Sequence, residues 1–224
     1  MDLLAAAVDA SRRWYDGIFA LHGLPAASDG RLWVAGDEVP PFHSAVKTLV
    51  RGVGVDAVLD AMEPHPRGSV ADSFGEFDLR PHGFELLIDA TWVGHPGVTG
   101  ASWPSGWTVV RDADLLARWW HLHDYDGVLP PPILRGEDFR VLARLVDGVP
   151  VAGAVVHDAG RVAGQSNLWS SGDPLGPADA AELLACAGVL HPGRPVTDYA
   201  WGDELDVLLA VGFEPLGPQR IWAR

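Results

Sequence analysis

The chain has 224 residues, 48% of them hydrophobic and 21% charged, which is enough apolar side chain for a packed core and too much for wholesale disorder. A formal net charge of −14 sets the surface against phosphate backbones, so nucleic acid is not an expected partner. Cys186 is the single cysteine and allows no intrachain disulfide. No basic-then-apolar leader opens the chain and no run of eighteen apolar residues interrupts it, so the expectation is a cytoplasmic protein with no membrane partner. Lys47 is the only lysine; with abundant Ala, Gly, Val, Asp and Pro, this is the coding bias of a GC-rich bacterial genome.

In chain order, residues 2–22 read as a helix. Leu4, Val8, Tyr15 and Ile18 recur at helical spacing, Asp9, Arg12, Arg13 and Asp16 fall on the other side, and Gly23 is a stop. Residues 31–35 and 45–50 read as strands separated by Pro40 and Pro41. Residues 53–62 read as a short helix closed by Pro64 and Pro66. The strongest strand of this half is 84–93, FELLIDATWV. Residues 94–106, rich in Gly, Pro and Ser, mark the boundary between halves.

The second half opens with a strand at 107–110 and a helix at 112–123, which Asp112 or Asp114 can cap. Three strands follow, 140–146, 151–157 and 161–169, joined by Asp147-Gly148 and Asp158-Ala159-Gly160. Asp and Gly tolerate the positive φ of tight hairpin turns, so the three form an antiparallel meander. A helix at 177–187 starts on Pro177 and ends at Gly188. Residues 196–200 form a strand, Asp203 caps a helix through Val211, Gly212 stops it, and 213–223 return as one or two strands. A meander that feeds a crossover helix gives a mixed sheet.

That element order, ending in DELDVLLAVGFEPLGPQRIWA, resembles the GNAT acyltransferases, in which a helix after the fifth strand runs through a Gly-Phe pair into the last strands. The match covers residues 107–224. VADSFGEFDLRPHGFELLIDATWV, with Gly83-Phe84, echoes the same ending. The resemblance implies an α/β (α+β) chain with a mixed, mostly antiparallel GNAT-like sheet flanked by helices. Residues 1–94 are then an accessory layer or a degenerate GNAT-like repeat, and 105–224 a GNAT-like domain. It also implies acetyl-CoA or another acyl-CoA as co-substrate and a small-molecule or peptide amine as acceptor.

The family holds the CoA pyrophosphate on a Gly-rich loop that opens a helix, where backbone N–H groups point at phosphate. Here the loop reads Ser170-Ser171-Gly172-Asp173-Pro174-Leu175-Gly176-Pro177. Asp173 places negative charge where phosphate would lie, and Pro174 and Pro177 remove two donors. Ser171 and Gly172 remain as anion contacts, with Arg194 or Arg220 as other holders of phosphate. Ser166, Asn167 and Trp169, on the last meander strand, would border the thioester and pantetheine arm.

Asp198 and Tyr199, on the fifth strand, offer a base and an acid for an amine. Side chains alternate along a strand, so one of them must face the opposite side. The tyrosine that the family often places in the next helix is absent from 203–211. His121 and His123 do not share a helix face, so no metal is expected. The alternative to acyl transfer is a catalytically silent GNAT-like binding module. A third option is a structural homodimer paired through sheet edges.

Overall fold

The computed structural model describes residues 1–172 and 174–224. Among them, five α-helices and eleven strands form one sheet. The helices are α1 (Leu3–His22), α2 (Val55–Ala61), α3 (Ala113–His123), α4 (Pro177–Leu190) and α5 (Gly202–Ala210). The strands are β1 (Ala26–Ser28), β2 (Leu32–Ala35), β3 (Val46–Thr48), β4 (Ser69–Asp72), β5 (Glu85–His95), β6 (Trp107–Val109), β7 (Phe139–Val146), β8 (Val149–Asp158), β9 (Ala163–Ser170), β10 (Val196–Ala200) and β11 (Glu214–Ala223). No described helix is long and apolar enough to cross a membrane.

The strand order is β1-β2-β3-β4-β11-β5-β10-β9-β8-β7-β6. It reads alike outward from its centre in both directions. β5 and β11 are antiparallel neighbours at the middle. Next come β4 and β10, antiparallel to β11 and β5 respectively, then β3 and β9, each parallel to the strand inside it. Helices α2 and α4 hold equivalent places as the crossovers between those parallel pairs. Gly83-Phe84 and Gly212-Phe213 precede β5 and β11, both glycines at positive φ (79° and 95°). The mixed, mostly antiparallel GNAT-like sheet expected from the sequence is therefore present, and the N-terminal half repeats its order. Each half lends its last strand to the other: β5 seals the edge of β10, and β11 seals the edge of β4.

β11 carries Pro215 and Pro218, unusual in a central strand because each removes a ladder donor. The register explains them. β4 pairs only with Arg220–Ala223, so the prolines lie where β11 has β5 on one side alone. A shift in register between Pro215 and Gly217 absorbs the first of them.

Alternation along the strands divides the core. Val141, Ala143 and Val155 pack with α1 and α3 on one face; Leu142, Ala154 and Val156 pack with α4 and α5 on the other. α1 bridges the halves. Trp14 Nε1 donates to His43 Nε2 at 3.1 Å, Trp33 Nε1 donates to Asp16 Oδ1 at 2.8 Å, and His157 Nε2 lies 2.9 Å from the Ala10 carbonyl. The Gly/Pro/Ser-rich boundary is packed as well: Gly193 N donates to the Val98 carbonyl, and Val98 and Ala101 lie against Gly188.

The meander forms as expected, with Asp147 and Gly148 at φ 50° and 76° in its first turn. Asp2 and Asp112 cap α1 and α3 by accepting from Ala5 N and Leu115 N. Three local expectations are corrected. Asp203 does not cap α5: the N-cap is Trp201, and Asp203 stands in the first turn. Gly188 does not end α4, which continues to Leu190 because that glycine's small size lets the boundary loop approach. Strands β1 and β4, three and four residues long, are too short to show a period and were not expected.

Lys47 is fully buried, with Nζ 5.3 Å from the Tyr15 ring centroid and 5.2 Å from that of Trp92. Burial lowers its ammonium to about 7. The unfolded chain holds that proton up to its ordinary value near 10.5, so folding stability falls as pH drops from 10.5 toward 7. Lys47→Met, which cannot titrate, should raise Tm at pH 7, by a stability on the order of a few kcal/mol, and raise it much less at pH 10. Thermal melts at the two pH values check this. Cleavage within residues 96–106 should leave the halves associated on a sizing column, and residues 1–95 expressed alone should show no cooperative melt.

Candidate functional site

Two parallel strand pairs lie outside the centre of the sheet, and each is hydrogen-bonded over only two positions: Val46–Lys47 with Val70–Ala71, and Ala163–Gly164 with Val196–Thr197. Beyond those positions each pair diverges. Between β3 and β4 the gap is closed, because Thr48 Oγ1 accepts from Ser73 N at 2.9 Å. Between β9 and β10 it stays open. Gln165, Ser166, Asn167 and Leu168 on one side, and Thr197, Asp198 and Tyr199 on the other, line a cavity of about 630 Å³.

This cavity passes through the sheet. Asp198 shares a strand face with Val196 and Ala200, which pack on the α4–α5 face. Tyr199 packs with Trp92 and Val8 on the α1 face. Residues of both faces line the same space. On the α1 side the walls are Trp14, Tyr15, Trp92, His43 and His157, with Phe42, His123 and Tyr125 at the loops above.

A bulge shapes the β9 side. The register jumps so that Asn167 and Leu168 together oppose Ala154, and Asn167 takes φ +57°. A bulge of this kind re-aims a side chain and bends its strand away from its neighbour. Asn167 Nδ2 donates to Ser166 Oγ at 3.0 Å, and its side chain also bonds His123.

The electrostatics of the gap are set by burial. Asp198 is buried; Oδ1 accepts from Tyr199 N at 2.7 Å and Oδ2 from Gln165 Nε2 at 3.4 Å. Burial and then the nearby Glu204 carboxylate push its carboxyl well above the usual range. Burial raises Glu204 to about 7. The Tyr199 phenol is raised too, by burial and then by Tyr15 and Tyr125. His43 and His157 are lowered to about 4 by burial. Trp14 Nε1–H can only donate, so His43 Nε2 is an acceptor and the ring is neutral. His157 donates from Nε2 to the Ala10 carbonyl, and its buried Nδ1 has no partner among the described residues; nor has Gln165 Oε1.

Of the residues singled out from the sequence, Ser166, Asn167, Asp198 and Tyr199 meet at the cavity. Trp169 does not line it: it is buried between Gly153 and Trp119 and stacks behind His123. Ser171 and Gly172 lie at the exposed end of β9, where Ser171 donates to the Val151 carbonyl. Asp173 is outside the described residues. Arg194 and Arg220 are engaged elsewhere, with Asp158 at 2.7 Å and Asp89 at 3.0 Å.

Two acids escaped sequence reasoning. Glu204 stands in the first turn of α5, and only the fold turns it toward the gap. Asp179 Oδ2 accepts from Gly176 N at 3.2 Å, the one half of a capping box that a glycine N-cap allows, while Oδ1 pairs with Arg144 at 2.7 Å. The pattern Gly-Pro-Ala-Asp carries half of that signal, a carboxylate three residues past an N-cap. The N-terminus of α4 thus already holds a carboxylate, behind Pro174 and Pro177.

No family model and no curated protein matches the sequence. Solved structures do. A GCN5-related N-acetyltransferase from Kribbella flavida superposes with a TM-score of 0.64 at 17% identity, over 96% of this chain and 94% of that one. A conserved protein of unknown function from Staphylococcus epidermidis gives 0.63 at 14% identity, over 88% and 91%. A GCN5-related N-acetyltransferase-like protein from Streptococcus suis gives 0.54 at 12% identity, over 96% and 98%. The likeness spans both halves and not the C-terminal half alone: the chain has the fold of the GCN5-related N-acetyltransferases.

Proposed function

We propose that the protein transfers an acyl group from an acyl-CoA thioester, acetyl-CoA in the simplest case, to an amine. The observation that carries this reading is the open gap between β9 and β10, with a carboxyl group poised near neutrality beside it. The thioester would lie along the bulge at Ser166 and Asn167 and the amine would enter from the α1 side. Attack by the nitrogen on the thioester carbonyl forms the amide C–N bond, breaks the C–S bond and leaves a thiolate.

Glu204, at about 7, suits the base that accepts the proton leaving the nitrogen, since a base works best near the working pH. Asp198 is held too far toward its neutral form for that role and stands beside Glu204 as an uncharged neighbour. Tyr199 is held so firmly protonated that it would hydrogen-bond the leaving sulfur without giving up its proton. The acid–base pair read from the sequence, Asp198 and Tyr199, thus becomes Glu204 as base with those two as its surroundings.

The phosphate end fits CoA poorly. Pro174 and Pro177 lack N–H groups, and the Asp179 carboxylate occupies the helix start that would otherwise attract phosphate. This one observation favours a second reading, a silent binding module that has kept the cavity and lost the donor.

Two measurements separate the readings. Charge-assisted bonds to phosphate are worth about 1.5–3 kcal/mol each, and with two lost, affinity for acetyl-CoA should be about a hundredfold or more below that of a loop with all its donors. S-acetylpantetheine, which lacks the nucleotide, should then be used with a KM within about tenfold of that for acetyl-CoA. A thousandfold preference for acetyl-CoA would mean that the phosphates are held well. Glu204→Gln should lower kcat by roughly 10²–10⁴ and remove the rise in rate with pH centred near 7. If neither thioester is turned over with any amine or changes Tm, the silent-module reading stands.

A further inference from the structure

The two parts of the cavity demand different chemistry from an occupant. At the gap, Glu204 is an acceptor when ionised and Gln165 Oε1 is an acceptor because its Nε2 already donates to Asp198; on the α1 side, His157 Nδ1 is an acceptor because its Nε2 faces the Ala10 carbonyl. Gln165 and His157 are each 4% exposed, line the cavity, and leave those atoms without a partner. These acceptors call for a ligand group made of donors, and an ammonium carries three N–H donors and no acceptor.

The chamber on the α1 side is aromatic. Trp92 and Tyr199 meet edge to face at 5.3 Å, and Tyr199 stacks on Trp201 at 6.5 Å. Phe42, 72% exposed and at φ +63°, stacks on Tyr125 at 5.0 Å above the same cavity. Flat rings at right angles give an apolar slot suited to another ring. Arg67, on the loop before β4, also lines the cavity and is exposed.

We infer that the occupant is a primary arylalkylamine, its ammonium at Asp198, Glu204 and Gln165 and its ring against Trp92 and Tyr199. This rests on the acceptor reading above only for its catalytic sense; the binding stands by itself. It has a further consequence. The other ionisable groups that line the cavity are Tyr15, Tyr125, Tyr199, His43, His123, His157 and Arg67. The three histidines are lowered and the three tyrosines raised by burial, which leaves Glu204, and Lys47 behind Tyr15 and Trp92, to change charge near pH 7. An arriving ammonium favours the ionised carboxylate and the uncharged lysine, so binding expels protons.

Calorimetric titration of the whole chain at pH 7, without acyl donor, tests this with 2-phenylethylamine and 2-phenylethanol in phosphate and in Tris, whose ionisation heats differ. The amine should bind at least about tenfold tighter than the alcohol, the worth of one charge-assisted bond, and the heat should differ between buffers by a net release of protons. Glu204→Gln should shrink both effects. Gln165→Met, which removes the unpartnered oxygen together with the Nε2 donor to Asp198, should weaken the amine and leave the alcohol unchanged. Equal affinity for amine and alcohol, or no proton release, overturns the ammonium site; n-butylamine binding as tightly as 2-phenylethylamine overturns the aromatic slot. Tight amine binding with no acylated product would sink the acyltransferase reading and leave this one intact.

Discussion

A strand edge in the interior of a protein must find hydrogen-bond partners, and an unpaired buried amide costs about 1–3 kcal/mol. β4 and β10 each have one neighbour from their own half and would otherwise present a bare edge at the centre of the molecule. β11 and β5 close those edges by crossing over, and then pair with each other. The continuity of the sheet, the burial of Trp92 and Trp222, and the placing of α1 across both halves follow from that exchange. So does the tolerance of Pro215 and Pro218, which use the one stretch of β11 that has a single partner.

The same arrangement leaves one gap open and the other closed. Both parallel pairs diverge after two hydrogen-bonded positions, but a threonine hydroxyl bridges one of them. At the other, the bulge at Asn167 keeps β9 bent away from β10, so the cavity can pass through the sheet. Its acids are held above the ordinary carboxylate range by burial, and its histidines are held neutral by the same effect, because removing a charge from water disfavours whichever form is charged.

Elements bounded by local chemistry could be read from the sequence. Asp147-Gly148 announced a hairpin, Asp112 a helix start, and the run from Phe84 an apolar strand, since each depends on neighbours a few residues away. Gly83-Phe84 and Gly212-Phe213 showed that the halves end alike. What could not be read was non-local. Nothing near residue 85 or 214 says that these strands pair across the halves, and β1 and β4 exist only because longer strands template them. At the site, Asp198, Tyr199, Ser166 and Asn167 could be placed because strand order put them beside the expected gap. Glu204 could not, as its burial comes from the fold and not from the helix it starts. Trp169 was placed at the gap, but a bulge upstream shifts the alternation and turns its indole into the core.

The crossed strands also bear on how the chain reaches this state. In most proteins an N-terminal portion can settle while the rest is still being made. Here β4 meets its inner neighbour only when residues 220–223 exist, and β5 waits for β10 and β11, more than a hundred positions downstream. Contacts that distant in sequence slow folding, since a large loop must close before any of them forms. An emerging chain of this kind carries an apolar, half-paired sheet until synthesis has passed residue 223. The seam that joins the finished halves thus also leaves the nascent chain with unpaired strand edges until its last strand is made.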